Sequence, residues 1–129
     1  MVSLVARPWK KLAETVGAID NGADDAELHD IRIHTKRCRY AAEAVAPILG
    51  KRARRFAESA TALQDVLGEH QDAVVAARWL RRKGIESGGA FAYVAGELAS
   101  AERDVAARAR AQWPHDWKSL IKAADRLGL

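Results

Sequence analysis

Four basic side chains on one stripe of a predicted helix carry the clearest chemistry in this sequence. At about 100° per residue, the stripe contains His29, Arg32, Lys36, Arg39, Tyr40 and Glu43. The predicted core residues of the same helix lie on a different stripe, about 130° away. Guanidinium and ammonium groups repeated along a helix match a linear polyanion with regularly spaced phosphates. We call His29, Arg32, Lys36 and Arg39 the basic ridge.

Neighbouring cations on the basic ridge repel one another, and each such pair destabilises a helix by about 0.2–0.5 kcal/mol. Their repetition indicates that something offsets this cost, either acids from another helix or an external anion. A solvated face with partners in the same helix, such as Glu43, explains the ridge equally well. His29 adds charge only when its imidazole is protonated.

Two further basic runs follow in the sequence. The first comes directly after Gly50 and contains Lys51, Arg52, Arg54 and Arg55. In an antiparallel helical hairpin it lies near the end of the ridge helix, so we add Lys51, Arg52 and Arg55 to the predicted anion site. A solvent-exposed loop rim is the alternative. The second run, Arg78, Arg81, Arg82 and Lys83, closes the next helix, where cations suit the negative end of the helix dipole.

Helices must position these side chains, because alanine is abundant and no stretch shows the alternation of a strand. Glycine and proline breaks predict four of them. The first runs from Pro8, in its first turn, to Ile19, and the second runs from a cap at Asp24 or Asp25 to Leu49. The third runs from Lys51 to about Lys83.

The fourth predicted helix begins after Gly89 and carries an apolar stripe that includes Phe91, Val94 and Leu98. We expect it to be bent or split near Pro114, because a residue before proline avoids the helical region. Short connections between long helices make neighbours antiparallel. The predicted fold class is therefore all-α, an antiparallel four-helix bundle that forms a single domain over residues 1–129.

Composition supports one folded domain with a weak preference for anions. The chain has 129 residues, 49% of them hydrophobic and 29% charged, and a formal net charge of +4. The whole excess falls in residues 51–84. No stretch is apolar enough to span a bilayer, and no signal peptide is evident, so we expect no membrane association and a cytoplasmic protein.

Other chemistries find little support in the sequence. Cys38, the one cysteine, lies on the predicted core stripe, and no nucleophile motif or glycine-rich phosphate loop is present. The histidines do not pair on one helix face, and we interpret His70 as a satisfied core histidine. Gly68, beside it, indicates a kink or a close helix contact. We therefore expect no catalytic residues, no metal and no cofactor.

Two motifs resemble the signatures of one family. The segment LHDIRIHTKRCRY, residues 28–40, resembles H-x-x-R-x-x-x-K-R-x-R-Y, and LQDVLGEHQD, residues 63–72, resembles L-Q-x-x-L-G-x-x-x-D. Both motifs, in this order and at this separation, are similar to those of the CHAD domain, the conserved histidine α-helical domain. Cys38 departs from the family's usual leucine, and His70-Gln71 departs from its usual apolar residue and asparagine.

The CHAD resemblance implies binding of inorganic polyphosphate without catalysis, and an association with polyphosphate granules. The matching ligand positions are His29, Arg32, Lys36, Arg37, Arg39 and Tyr40. Gln64 and Asp72 match the second motif as a supporting network, in which Asp72 orients a cation of the ridge. A full family domain is a pair of four-helix bundles around a basic cleft, and this chain resembles one repeat, most like the C-terminal half. A homodimer or a second bundle would restore the pair.

Three other functions compete with polyphosphate binding. A nucleic-acid-binding bundle would use the same cations, but no recognition helix or base-stacking motif is evident. A protein-interaction module would pair the bundle with a like bundle. An enzyme ranks last, since Asp65, Glu69 and Asp72 fall off the basic ridge and do not converge with it as a metal site would require.

Overall fold

The computed structural model describes all 129 residues, of which 91% are helical and none is in a strand. The helices are α1, Val2–Gly17; α2, Asp25–Leu49; α3, Lys51–Ser87; and α4, Gly89–Leu127. Each helix packs on the next one in the chain. The structure therefore confirms the all-α, four-helix prediction. None of these helices combines the length and the apolar character that a membrane span requires.

α1 begins earlier than the sequence predicted, because Pro8 lies inside the helix and not in its first turn. A proline removes one backbone donor, which leaves the carbonyl of the residue four positions earlier without its helical partner. That residue is Leu4, which is exposed, so water can satisfy the carbonyl. Val5 and Leu12 are buried on either side of the proline and hold the helix against the core.

α2 begins at the predicted place, with Asp24 as its cap. The backbone N–H of Glu27 donates to the Asp24 carboxylate at 2.7 Å, and the backbone N–H of Asp24 donates to the Glu27 carboxylate at 3.0 Å. This reciprocal capping box satisfies two donors that a bare helix start would leave free. Asp25, the alternative cap, is thereby released for other contacts.

α4 is one helix across Pro114, so the split that the sequence predicted there does not occur. Trp113 and Trp117 both pack against the core. The Trp117 ring stacks on Trp9 of α1, with ring centroids 5.3 Å apart. Packing on both sides of the proline offsets a helix-interior penalty of about 3 kcal/mol.

The hydrophobic core occupies one end of the molecule. Its buried side chains come from α1, α2, residues 53–67 of α3 and residues 120–127 of α4. α2 has 25 residues and α3 has 37, so α3 continues past the start of α2 and pairs with α4 alone. We call residues 73–109 the distal hairpin.

The distal hairpin is held by small residues. Its buried positions are Ala73, Ala77, Gly84, Ala95, Ala99 and Ala109. At Gly84 the two helices approach so closely that an added Cβ would lie 3.1 Å from the Cβ of Ala95. Most large apolar side chains of the hairpin are exposed instead, namely Val75, Trp79, Ile85, Phe91, Tyr93, Val94 and Leu98. Val74, Leu80 and Val105 are half-buried. The predicted core stripe, which also included Val105 and Ala109, is therefore wrong at Phe91, Val94 and Leu98, where adjacent alanines form the seam, whereas Ala109 is buried as predicted.

Candidate anion-binding site

The basic ridge lies beside the junction of α2 and α3, and its four members are each half-buried. This placement follows from the wheel of α2, on which the ridge flanks a core stripe whose buried members include Leu28, Ile31 and Cys38. Arg32 lies against Gly68 of α3, where an added Cβ would be 3.3 Å from the Arg32 Nε. The close contact predicted at Gly68 is thus made with a side chain of the neighbouring helix.

The predicted supporting residues, Gln64 and Asp72, lie in the groove around Arg32 but form no hydrogen bond or ion pair with it, so the structure does not show Asp72 orienting a cation of the ridge. Gln64, Gly68 and Asp72 line it together with Arg32. Three further acids line the same groove, namely Asp65, Glu69 and Glu102. No ion pair within 4 Å joins Arg32 to any of them. Acids from α3 and α4 therefore share a groove with Arg32. Acids from other helices were one explanation for the ridge, but these do not neutralise Arg32 by direct contact.

Four polar atoms of the predicted site residues are buried and have no hydrogen-bond partner in the protein. They are Arg32 Nε, Gln64 Oε1, His29 Nδ1 and Arg39 Nε. Buried polar atoms in folded proteins are nearly always satisfied by protein, water or a ligand. The inner side of the ridge therefore presents hydrogen-bonding capacity that the chain itself does not use.

Arg39 has partners within its own helix. Its Nε lies 3.2 Å from the Glu43 carboxylate, one turn further along α2. Its guanidinium carbon lies 4.6 Å from the centre of the Tyr40 ring, and Tyr40 is 49% exposed. An ion pair of this exposed kind contributes less than about 1 kcal/mol. The intrahelical partner proposed for the ridge therefore exists, but it accounts for Arg39 only.

Lys36 and Arg37 form no ion pair, and they lie on different sides of α2. Lys36 is on the ridge. Arg37 instead lines a groove between α1 and α2. The other residues that line that groove are Arg7, Pro8, Lys10, Lys11, Glu14 and His34. The signature positions of α2 thus supply cations to two surfaces and not to one.

The structure does not place Arg52 and Arg55 with the ridge. Both line a groove with Lys122 and Arg126 of α4. On the wheel of α3 these arginines share a side with residues such as Ala77, which is buried in the seam with α4. Lys51 is exposed in the first turn of α3 and lines neither groove.

An ion cluster that sequence reasoning missed fixes the start of α2. The Asp25 carboxylate pairs with Arg110 of α4, with His70 of α3 at 3.3 Å and with Arg78 at 3.5 Å. Arg110 also donates to the backbone carbonyl of Ala23. The sequence placed Asp25 in a first helical turn, which suits the dipole, and gave no reason to link it to Arg110. The cluster holds three helices together beside His29.

His70 is a core histidine, as the sequence predicted, with 2% of its surface exposed, but it is not fully satisfied, because its buried Nδ1 has no hydrogen-bond partner. Burial lowers the pKa of its imidazole, and the positive charge of Arg110 lowers that pKa further, while Asp25 acts in the opposite direction. Arg110 already supplies a positive charge to Asp25. The histidine therefore completes this cluster in its neutral form.

The remaining reactive groups are enclosed or dispersed. Cys38 is fully buried on the core stripe of α2, and burial raises the pKa of its thiol to about 12. His34 lies 3.4 Å from Asp30 in its own helix. No three His, Cys, Asp or Glu side chains come together in a way that could hold a metal ion.

Comparison with known proteins identifies the class of domain. The chain matches the family model of the CHAD domain over residues 2–81, which contain both motifs and all of the basic ridge. This chain therefore belongs to the CHAD domain family, as the resemblance of its motifs indicated. The match covers α1, α2 and most of α3, and α4 lies outside it.

The curated relatives extend the similarity over nearly the whole chain, but their names give no activity. The chain is 36% identical over 124 residues to uncharacterized proteins of Mycobacterium tuberculosis strains CDC 1551 and H37Rv. The alignment covers 93% of this chain and 23% of each relative. The chain thus spans about a quarter of the length of the curated relatives that it matches. No solved structure gives a significant match.

Proposed function

We propose that this chain binds inorganic polyphosphate and catalyses no reaction on it. CHAD domains are associated with polyphosphate binding in general, and this chain has the family's signature residues on α2. One observation carries the proposal: Arg39 is the only predicted ligand that forms an ion pair within the chain. The other cations are thus free of direct ion pairs, which supports their availability to an external polyanion, although acids line the groove around Arg32.

The ridge supplies two kinds of contact for a phosphate chain. Lys36 is a flexible point charge with no acidic partner, which suits phosphates whose positions vary along a polymer. The guanidinium of Arg32 packs against Gly68 with its Nε buried, so its terminal N–H groups are the donors that would reach an external phosphate. A fixed guanidinium can bind phosphate oxygens in a bidentate manner. Mobile and fixed donors together favour a repeating anion over a single phosphate.

Calorimetric titration with long-chain polyphosphate tests the proposal. Lys36→Ala should lower the affinity about tenfold, the value of one charge-assisted hydrogen bond. Arg108→Ala is the matched control, because it removes one positive charge from an exposed position of α4 that lines none of the basic grooves. Equal losses of affinity in the two variants would show that polyphosphate is attracted by net charge alone, and would contradict the assignment of the ridge as the binding site.

Two added measurements separate the alternatives. Duplex DNA, at the same phosphate concentration, should compete poorly with polyphosphate, and equal competition would favour a nucleic-acid-binding bundle. Incubation of the protein with polyphosphate and Mg²⁺ should release no orthophosphate. Sustained release would overturn the non-catalytic part of the proposal. The cytoplasmic and granule locations stay predictions.

A second candidate function, assembly with a second copy of this bundle, is favoured by the distal hairpin. Its large apolar side chains, such as Trp79 and Phe91, are about half exposed, which is costly for a free surface. The CHAD resemblance implies a pair of bundles, and a second copy is the partner that one chain can supply. Light scattering should therefore detect a dimer that Trp79→Glu converts to monomer. A monomeric parent chain would remove this candidate.

A further inference from the structure

A broad groove lies between the first turns of α3 and the last turns of α4. It has a volume of about 730 Å³. Its cations come from both helices and are Arg52, Arg55, Lys122 and Arg126. Ser59 and Ser119 add hydroxyl groups, and Glu58 is the one acid on its walls. We call this feature the end groove.

The positive charge of the end groove is not compensated within the chain. None of its four cations forms an ion pair, not even with Glu58. The first turn of α3 contains no acid, although the helix dipole is positive there, so the basic residues at its start add to an unfavourable field. Arg126 alone lies at a favourable helix end, the last turn of α4. An external anion in the groove would offset this repulsion.

The donors of the end groove select for phosphate oxygens. Two guanidinium groups offer planar pairs of N–H donors, which match the spacing of oxygens on one phosphate. Lys122 adds a third charge from the facing helix, and Ser59 offers a half-buried hydroxyl. A chain of a few phosphates offers oxygens to donors on both walls of the groove, whereas a carboxylate or a single phosphate has fewer oxygens to offer.

We infer that the end groove is a second anion site, which binds a short phosphate chain such as tripolyphosphate through Arg52, Arg55, Lys122 and Arg126. Lys122 and Arg126 lie outside the residues that match the CHAD family model. The inference extends the proposed function to another surface but does not depend on it, since the basic ridge contributes no residue to the end groove.

Heteronuclear NMR and calorimetry with tripolyphosphate test the inference. The largest amide shifts should fall in residues 52–59 and 119–126. Arg55→Ala combined with Lys122→Ala should weaken binding at least about tenfold. Arg126→Ala should weaken it severalfold, and Arg108→Ala, which removes the same charge from another exposed position of α4, should change it less than about twofold. Circular dichroism checks that each variant keeps its helix content.

The outcomes separate this inference from the proposed function. Shifts confined to α2, or equal losses from Arg126→Ala and Arg108→Ala, would refute the end groove and leave the ridge untouched. Shifts in the end groove, together with equal affinities of Lys36→Ala and Arg108→Ala for long-chain polyphosphate, would support the groove and refute the ridge of the proposed function. Losses in the double variant with both ligands would support the groove as part of one extended binding surface.

Discussion

At the scale of single residues, polar side chains of this protein divide into those that are used internally and those that are not. The Asp25 carboxylate contacts Arg110, His70 and Arg78, so its charge is compensated within the chain. Arg32 has a buried Nε without a partner. The first kind stabilises the fold, and the second kind is available to a ligand. Residue type alone does not separate them, because arginine occurs in both.

The neutral state of His70 predicts that acid destabilises the fold. Its folded-state pKa lies below the ordinary value of about 6.5, so the unfolded chain binds a proton more readily. The free energy of unfolding should therefore fall as the pH drops below about 6.5, until the pH passes the folded-state pKa. Urea unfolding at a series of pH values, on the parent and on His70→Gln, measures this contribution.

Two results of the titration would contradict this account. One is an identical pH dependence in the parent and in His70→Gln, which would assign the effect to other groups. The other is a parent chain that gains stability on acidification from pH 6.5, which would mean that the buried imidazole is charged. Asp25, Arg78 and Arg110 face the same cluster in both proteins, so the comparison isolates the imidazole.

At the scale of helices, α3 and α4 can pack closely in the distal hairpin only because the residues between them are small. Gly84→Ala should lower the free energy of unfolding by about 1–3 kcal/mol, because its Cβ would lie 3.1 Å from the Cβ of Ala95, which cannot swing aside. Gly96→Ala is the control in the facing helix, where an added Cβ meets nothing within 4 Å. It should raise stability by up to about 1 kcal/mol through helix propensity. Thermal unfolding of both variants checks the prediction, and a gain of stability in both would show that the seam tolerates a wider separation.

Helix boundaries were predictable where local chemistry decides them. The capping box at Asp24 and the turn at Gly50 are local, and α2 and α3 begin where the sequence indicated. The start of α1 at Pro8 and a split of α4 at Pro114 were wrong predictions, because a helix is sustained across a proline by tertiary packing of neighbours such as Val5 and Trp117. Phe91, Val94 and Leu98 have helical core spacing, but the facing helix offers small residues there, which the spacing does not reveal.

The candidate site was predictable as a set of residues but not as a surface. The two signature motifs located Arg32, Gln64 and Asp72, which line one groove, although they are far apart in the chain. The sequence also grouped Arg52 and Arg55 with the ridge because they follow it closely. Their direction depends on the rotation of α3 against α4, so they belong to the end groove.

At the scale of the whole molecule, the net charge of +4 is distributed over several grooves and not concentrated in one. Binding of polyphosphate should therefore be strongly salt-dependent, with a loss of at least about tenfold in affinity between 50 and 200 mM salt. Lys36→Ala should reduce the slope of log affinity against log salt by about 1, and Arg108→Ala should leave it unchanged. Calorimetric titrations at four salt concentrations measure the slope. An affinity that does not change with salt would exclude phosphate contacts as its source.

The distal hairpin also gives the fold an uneven resistance to local opening. In the distal hairpin, two helices pack only through a seam of alanine and glycine. Residues 53–67 of α3 instead pack into the hydrophobic core, so their backbone amides are better protected from solvent. Hydrogen exchange should therefore be faster in residues 75–100 than in α2 or in the first half of α3. A partner that covers Trp79 and Phe91 would slow exchange in that segment first. The rate of exchange there is thus a direct measure of whether the hairpin is free or occupied.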